Sequence, residues 1–330
     1  MLRLIAREAF RLLLPVLLIY VVLLGVSLVL EPLPVDDGRL DSARSEQSFL
    51  KVEPAYVAFR SRLVAGHDPA ILLIGPSNVR VGLRPELLAP LVPGTQVHNL
   101  AVGGANIDGM EAAIDLVYAH RRPGAERAGL VFVLGLWYGE FLHHESNPTA
   151  TPLARQMMRF GLFRREAGGG VGLGVPPALF DVAVHAARPL FMVQNLLGAQ
   201  GWLMRWLRPE RAAAAQVTTG AAILGDPRDF PLPTAQFERL VQLAEKVEHG
   251  GGRLVLADLP QRRDFTRNSP LWGRYQEVKT PWFAQAVAHG AKVVDLSDLD
   301  DEADFGDATH PRPEAAPKWA RRLADGLRRP

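Results

Sequence analysis

From Leu12 to Leu30 the chain runs for about 19 residues without a charged side chain, and nearly all of them are Leu, Val or Ile. A helix of that length covers the hydrocarbon core of a bilayer. Pro15 stands near its start, where a helix tolerates proline best. Arg3, Arg7 and Arg11 precede the run, whereas Glu31, Asp36 and Asp37 follow it. The arginine bias predicts a single-pass protein of the cytoplasmic membrane, with the N-terminus inside and the rest of the chain outside, periplasmic or extracellular. The apolar core is longer than an ordinary signal-peptide core, and the exit Val29-Leu30-Glu31-Pro32-Leu33-Pro34 has no small-x-small cleavage site. An uncleaved anchor over residues 1–30 is therefore expected rather than a removed leader. The flanking charge asymmetry argues against a buried helix of a soluble protein.

Residues 31–50 are rich in Pro, Asp, Ser and Arg and read as a linker. That leaves 51–330 for one large domain, long enough to bury a core. The 37 basic and 35 acidic side chains nearly cancel. No basic stripe interleaved with aromatics occurs, so nucleic acid is not an expected partner. Arg321-Arg322 and Arg328-Arg329 read as a solvated helix face and tail. The chain has no cysteine, which excludes disulfides, thiolate nucleophiles and cysteine-ligated metals. His143-His144 lacks the spacing of a zinc helix, so neither a metal nor a cofactor is expected.

Along the domain, apolar strands alternate with helical periodicity. A helix over 52–64 leads into a strand at 70–75; a short helix at 85–91 precedes a strand at 95–100. Met110, Ala113, Ile114 and Val117 mark a helix over 108–119. The continuous apolar run 130–134, ending at Gly135, suits a parallel strand covered on both faces. Residues of about 140–230 break the rhythm and read as a largely helical insertion. In it, Gly168-Gly169-Gly170 and Pro176-Pro177 mark a loop, a helix is expected from Phe180 to Trp206, and Phe191, Trp202 and Trp206 serve as core. The alternation resumes with a helix at 233–248, a strand at 253–257, a helix at 275–289, a strand at 292–296 and a last helix at 313–327. Such alternation implies a parallel sheet with helices on both faces.

In sheets of this kind the working residues gather beyond the C-terminal strand ends. Ser77, in Gly75-Pro76-Ser77-Asn78, follows the first strand, Gly103-Gly104 the second and Trp137 the third. Asp307-Ala308-Thr309-His310 follows the last by a loop. A carboxylate three residues before an imidazole can share its turn and orient the ring. Folded over Ser77, the pair would complete a nucleophile, base and orienter set. The competing readings are Ser77 as a helix cap and Asp307–His310 as a surface turn before Pro311.

These blocks together resemble the SGNH (GDSL-like) hydrolase superfamily over roughly 68–140 and 250–327. Gly75-Pro76-Ser77 corresponds to its Gly-Asp-Ser, Asn99-Leu100-Ala101-Val102-Gly103-Gly104 approximates its Asn-x-Gly-x-Ser-Gly, and Asp307 to His310 matches its Asp-x-x-His. The resemblance implies a flavodoxin-like three-layer α/β/α sandwich. It also implies Ser77 as nucleophile, His310 as base, Asp307 as orienter, and the N–H groups of Ser77 and Gly104 as oxyanion donors. The sequence departs from the family at Pro76 and, more seriously, at Gly135-Leu136-Trp137, where the family has Gly-x-Asn. Losing that asparagine removes a donor worth on the order of 10²–10³ in rate. Asn78 or Asn106 is a candidate replacement, although both also suit turns. Arg80 is a candidate contact for an anionic substrate, or a solvated helix residue. Trp137, Tyr138 and Glu140 are candidates for the cleft wall, or for packing.

An anchor combined with the missing asparagine resembles the membrane-tethered branch that acylates cell-envelope polymers, such as the alginate O-acetylation and lipoteichoic-acid D-alanylation proteins. That likeness implies an O-acyltransferase that takes an acyl (acetyl) group onto Ser77 from a multi-spanning membrane-bound O-acyltransferase and moves it onto a hydroxyl of a polysaccharide substrate. Two alternatives use the same residues or none of them. One is a carbohydrate or lipid esterase; the other is a degenerate binding or scaffold subunit of an exopolysaccharide machine.

Overall fold

The computed structural model describes residues 2–30, 57, 64–66, 69–121, 129–141, 158, 161–165, 171–180, 182–190, 193, 232, 234–267 and 269–328. The linker 31–50, most of the helix expected over 52–64, His143-His144, Gly168-Gly169-Gly170, Phe191, Trp202, Trp206 and much of 140–230 lie outside them.

Helix α1 (Leu2–Leu30) is long and apolar enough to cross a membrane, and the rest of the chain covers almost none of it. Leu12 and Val29 are 75% and 81% exposed, which is the reverse of a core helix.

Strands β1 (Ala70–Ile74), β2 (Gln96–Asn99) and β3 (Leu130–Leu136) are joined by α2 (Ser77–Gly82) and α3 (Pro85–Leu88) after β1, and by α4 (Ile107–His120) after β2. A short antiparallel hairpin, β4 (Phe163–Arg165) with β5 (Val171–Leu173), lies inside the insertion. Helix α5 (Thr234–His249) then leads to β6 (Arg253–Asp258), α6 (Arg263–Arg267) and α7 (Pro270–Ala288) to β7 (Lys292–Asp295), and α8 (Ala316–Arg328) closes the chain. The five long strands form one parallel sheet in the order β2-β1-β3-β6-β7. Chain direction across the sheet reverses beside β1, the switch point where such sheets open a crevice.

Period-two alternation along the strands feeds two cores. Leu72, Ile74, Phe132 and Leu134 join residues of α4, α5 and α7 on one face, including Ile114, Leu240 and Phe283. Ile71, Leu73, Val131 and Val133 join Val79 of α2, Leu88 of α3 and Trp319 and Leu323 of α8 on the other. The result is a three-layer α/β/α sandwich. Burial of this kind stabilises by about 25 cal/mol per Å² of apolar surface, which explains why continuous apolar strands outweigh any local preference.

The start of one expected helix needs correction, and the insertion holds a hairpin that the sequence did not announce. In this short antiparallel pair, β4 with β5, Phe163 and Leu173 are opposite each other. Residues 182–190 are helical as expected. Helix α7 begins five residues before Tyr275, because Ser269 caps it, its Oγ accepting from the Trp272 N–H at 3.4 Å.

Candidate active site

Two glycines, one just past β1 and one in the neighbouring β3, seat the helix that carries Ser77. A Cβ on Gly75 or on Gly135 would collide with the Val79 side chain, so only glycine lets α2 press down on the ends of β1 and β3. Gly82, at the far end of α2, leaves room in the same way for the Trp319 ring. The Asn99 amide donates to the Leu83 carbonyl at 3.0 Å while its oxygen accepts from Ala101 N–H at 2.9 Å, tying the end of β2 to the end of α2. Val102 N–H donates to the Gly75 carbonyl at 2.9 Å. The path to Gly103-Gly104 therefore runs beside the Ser77 turn. Gly104 has φ +70, a left-handed conformation that favours glycine.

The other half of the site comes from the loop between β7 and α8. Asp307 builds it by accepting three hydrogen bonds. Its Oδ1 takes the N–H groups of Thr309 and His310, both at 2.8 Å, and its Oδ2 takes Nδ1 of His310 at 2.8 Å. This is an Asx-type turn closed by the ring it orients. Gly306 N–H donates to the His310 carbonyl at 2.9 Å, and Arg262 N–H, just after β6, donates to the Ala308 carbonyl at 3.1 Å. The loop is thus held from both sides, and His310 Nε2 lies 2.7 Å from Ser77 Oγ.

With Nδ1–H directed to Asp307, Nε2 is left to accept from the Ser77 hydroxyl. Partial burial pushes the Asp307 carboxyl up, but the hydrogen bonds from His310 and from the two backbone N–H groups outweigh it. The group is held well below the usual carboxylate range. It therefore stays anionic and can support an imidazolium.

The remaining candidates separate. Asn78 is buried beside Ser77, and neither polar atom of its amide has a hydrogen-bond partner among the described residues. Arg80 is half-buried on the same helix. Asn106 caps α4, its Oδ1 accepting from Gly109 N–H at 3.0 Å and its amide directed at Asp108. Trp137 is half-buried just past β3, and its backbone N–H donates to Glu140 Oε2 at 2.7 Å. Tyr138 does not line a cleft: it is fully buried, stacked on Phe265 with ring centroids 6.3 Å apart. Glu140 is buried too. In each case the side chain of a residue just past an apolar strand has turned back into the core.

Sequence reasoning missed a buried polar cluster beneath the ends of β3 and β6. Asp258, the last residue of β6, accepts from Tyr275 Oη at 3.0 Å and pairs with Lys279 Nζ. Lys279 also lies 5.1 Å from the centre of the Tyr275 ring. Burial pushes Asp258 up despite Lys279 and Tyr275, and burial, with the nearby Asp258 charge adding to it, drives Glu140 up further. The available signal was a lone aspartate ending an apolar strand.

Taken together, the fold and site define an α/β protein of the doubly wound type with Ser77, His310 and Asp307 hydrogen-bonded in series at its switch-point edge. No protein-family model and no curated protein matches the chain. Among solved structures it is similar to a Streptococcus pneumonia protein described as a platelet activating factor, at 11% identity and a TM-score of 0.45, covering 87% of this chain and 98% of that one. It is also similar to TesA, at 13% identity and a TM-score of 0.36, covering 78% and 98%.

Proposed function

We propose that the chain is a membrane-anchored serine enzyme of SGNH type that carries an acyl group on Ser77 and passes it to a hydroxyl of a cell-envelope or secreted polysaccharide outside the cytoplasmic membrane. The observation that carries this reading is the 2.7 Å contact between Ser77 Oγ and His310 Nε2, with Asp307 bonded behind the ring. The site's chemistry follows from it. Ser77 Oγ attacks the acyl carbonyl as its proton moves to Nε2, and the N–H groups of Ser77 and Gly104 receive the oxyanion. Collapse breaks the bond to the donor's leaving group, which takes the proton from Nε2 and leaves an acyl ester on Ser77. An acceptor hydroxyl then gives its proton to Nε2, attacks the ester, and departs acylated as Ser77 recovers its hydrogen.

A sugar hydroxyl as acceptor makes the reaction a transfer, and water makes it an esterase. The exposed apolar α1 and the likeness to the polymer-acylating branch support transfer, with a multi-spanning membrane-bound O-acyltransferase as acyl donor. Trp137 favours a second reading. It stands where the family has an asparagine side chain as third oxyanion donor, and its backbone N–H is committed to Glu140. That arrangement suits a degenerate domain that binds a polymer without turning it over.

Turnover of an aryl acetate by the full-length protein in detergent tests catalysis. Release by wild type and its loss in Ser77→Ala support the enzyme reading; equal, background release by both supports the binding subunit. Acetylated oligosaccharide appearing in preference to free acetate identifies the transferase.

A further inference from the structure

Two hydrogen bonds join α1 to the insertion across 166 and 161 residues of sequence. Tyr20 Oη donates to the Ala186 carbonyl at 2.8 Å, and Arg188 Nη2 donates to the Ser27 carbonyl at 2.6 Å. Ser27 is buried on a helix whose other described side chains are exposed or only partly covered, and Arg188 is buried where it meets Ser27. Tyr20 and Ser27 are seven positions apart, about 10 Å of helical rise. The insertion therefore lies along the exit half of the apolar run rather than touching only its tip.

The insertion's surface there is apolar. Leu179, Val182, Leu190 and Val193 are 56%, 65%, 51% and 40% exposed. Within 182–190 only His185 offers an exposed polar side chain. Apolar side chains exposed alongside an apolar helix make one continuous surface, of a size and kind that aqueous surfaces avoid. A bilayer around α1 would meet both.

The same segment also fixes where the site points. Phe180 is fully buried, its ring 4.5 Å from that of His120 and 5.5 Å from that of Phe163. His120 is the last residue of α4, whose first turn starts beside Gly104 at the Ser77 edge. The 14 residues of α4 span about 21 Å. The anchor and the apolar segment are thus attached at the sheet edge opposite to the catalytic one.

Resting on the reading of α1 as a membrane span, we propose that the described residues of 177–193 form a second membrane-contacting element. It is seated in the acyl-chain and headgroup boundary of the outer leaflet against α1, with Arg188 binding the Ser27 carbonyl. It holds the domain with Ser77 and His310 facing away from the bilayer. Such a posture suits an acceptor reaching in from the aqueous side, not a lipid presented from the membrane plane.

The chain has no cysteine, so single cysteines can be introduced for labelling. Full-length Val22→Cys, Val182→Cys, Leu190→Cys and Ala303→Cys would each carry an environment-sensitive fluorophore in vesicles of phosphatidylcholine and phosphatidylglycerol containing brominated lipid. Strong quenching is expected at 182 and 190, comparable with that at 22 in α1, and none at 303 on the catalytic edge. Quenching at 22 with water-exposed labels at 182 and 190 overturns the proposal and leaves the anchor standing. Labels at 182 and 190 that are shielded from water yet out of reach of the lipid quencher place a protein there instead, and overturn it equally. Quenching at 303 overturns the orientation. Absence of quenching at 22 removes the anchor, and this proposal with it.

Discussion

Ser77 Oγ meets His310 Nε2 at 2.7 Å although 233 residues separate the two in sequence. Each side is positioned independently. Ser77 is set by Val79 resting on Gly75 and Gly135, and His310 by a turn that Asp307 closes and the Arg262 N–H braces. Convergence of two separately fixed groups is what a preorganised catalytic pair requires.

Replacing either partner should remove turnover without unfolding the domain. Ser77→Ala and His310→Ala are expected to lower kcat for an aryl acetate by about 10⁴-fold or more, and the double variant by no more than the worse single one. Steady-state kinetics alongside circular dichroism checks both parts, since Ser77 caps nothing that would be lost.

Asp307→Asn keeps the shape of the turn but loses the charge behind the ring. Expected is a fall in kcat of about 10²–10⁴-fold. Stability should respond to pH in a definite direction. Because the folded carboxyl lies below its ordinary value, its contribution is fully present above the unfolded value near pH 4 and is lost as pH falls further. The gap in Tm between wild type and Asp307→Asn should therefore narrow below about pH 4. A gap that widened on acidification would contradict the assigned hydrogen bonds.

Gly104→Ala tests the second oxyanion donor by conformation. Open space surrounds the position, so an added methyl meets nothing, but φ +70 costs a side chain about 1–2 kcal/mol. Relaxation of that strain would move the N–H, and kcat should drop on the order of 10- to 100-fold with KM little changed. Unchanged kcat would remove Gly104 from the mechanism.

Lys279→Met should destabilise the fold by about 3–5 kcal/mol, because it leaves Asp258 charged, buried and short of a partner. Adding Asp258→Asn removes the stranded charge while keeping an acceptor for Tyr275, so the double variant should recover much of the loss. Denaturant unfolding of the four proteins measures the cycle.

The sheet and the Ser77–Asp307–His310 set were legible because they rest on local patterns. Continuous apolar strands ending at glycine mark covered parallel strands, and the Asp307 turn needs only three-residue spacing. Trp137, Tyr138 and Glu140 were not legible in the same way. Their positions follow from the strand, but whether a ring faces a cleft or the core depends on what α6 and α7 place opposite; here Phe265 and Tyr275 draw Tyr138 inward. The Asp258–Lys279 pair joins residues on different elements, with no periodicity to announce it. The β4–β5 hairpin has three residues per strand, too short for alternation to show.

The most direct test of the account is where an acyl mimic becomes attached. Full-length protein treated with a fluorophosphonate, digested and sequenced by mass spectrometry should carry the adduct on the peptide containing Ser77. His310→Ala should carry far less, and Ser77→Ala none. An adduct on another residue, or equal labelling of wild type and Ser77→Ala, would contradict the assignment of Ser77 as the nucleophile.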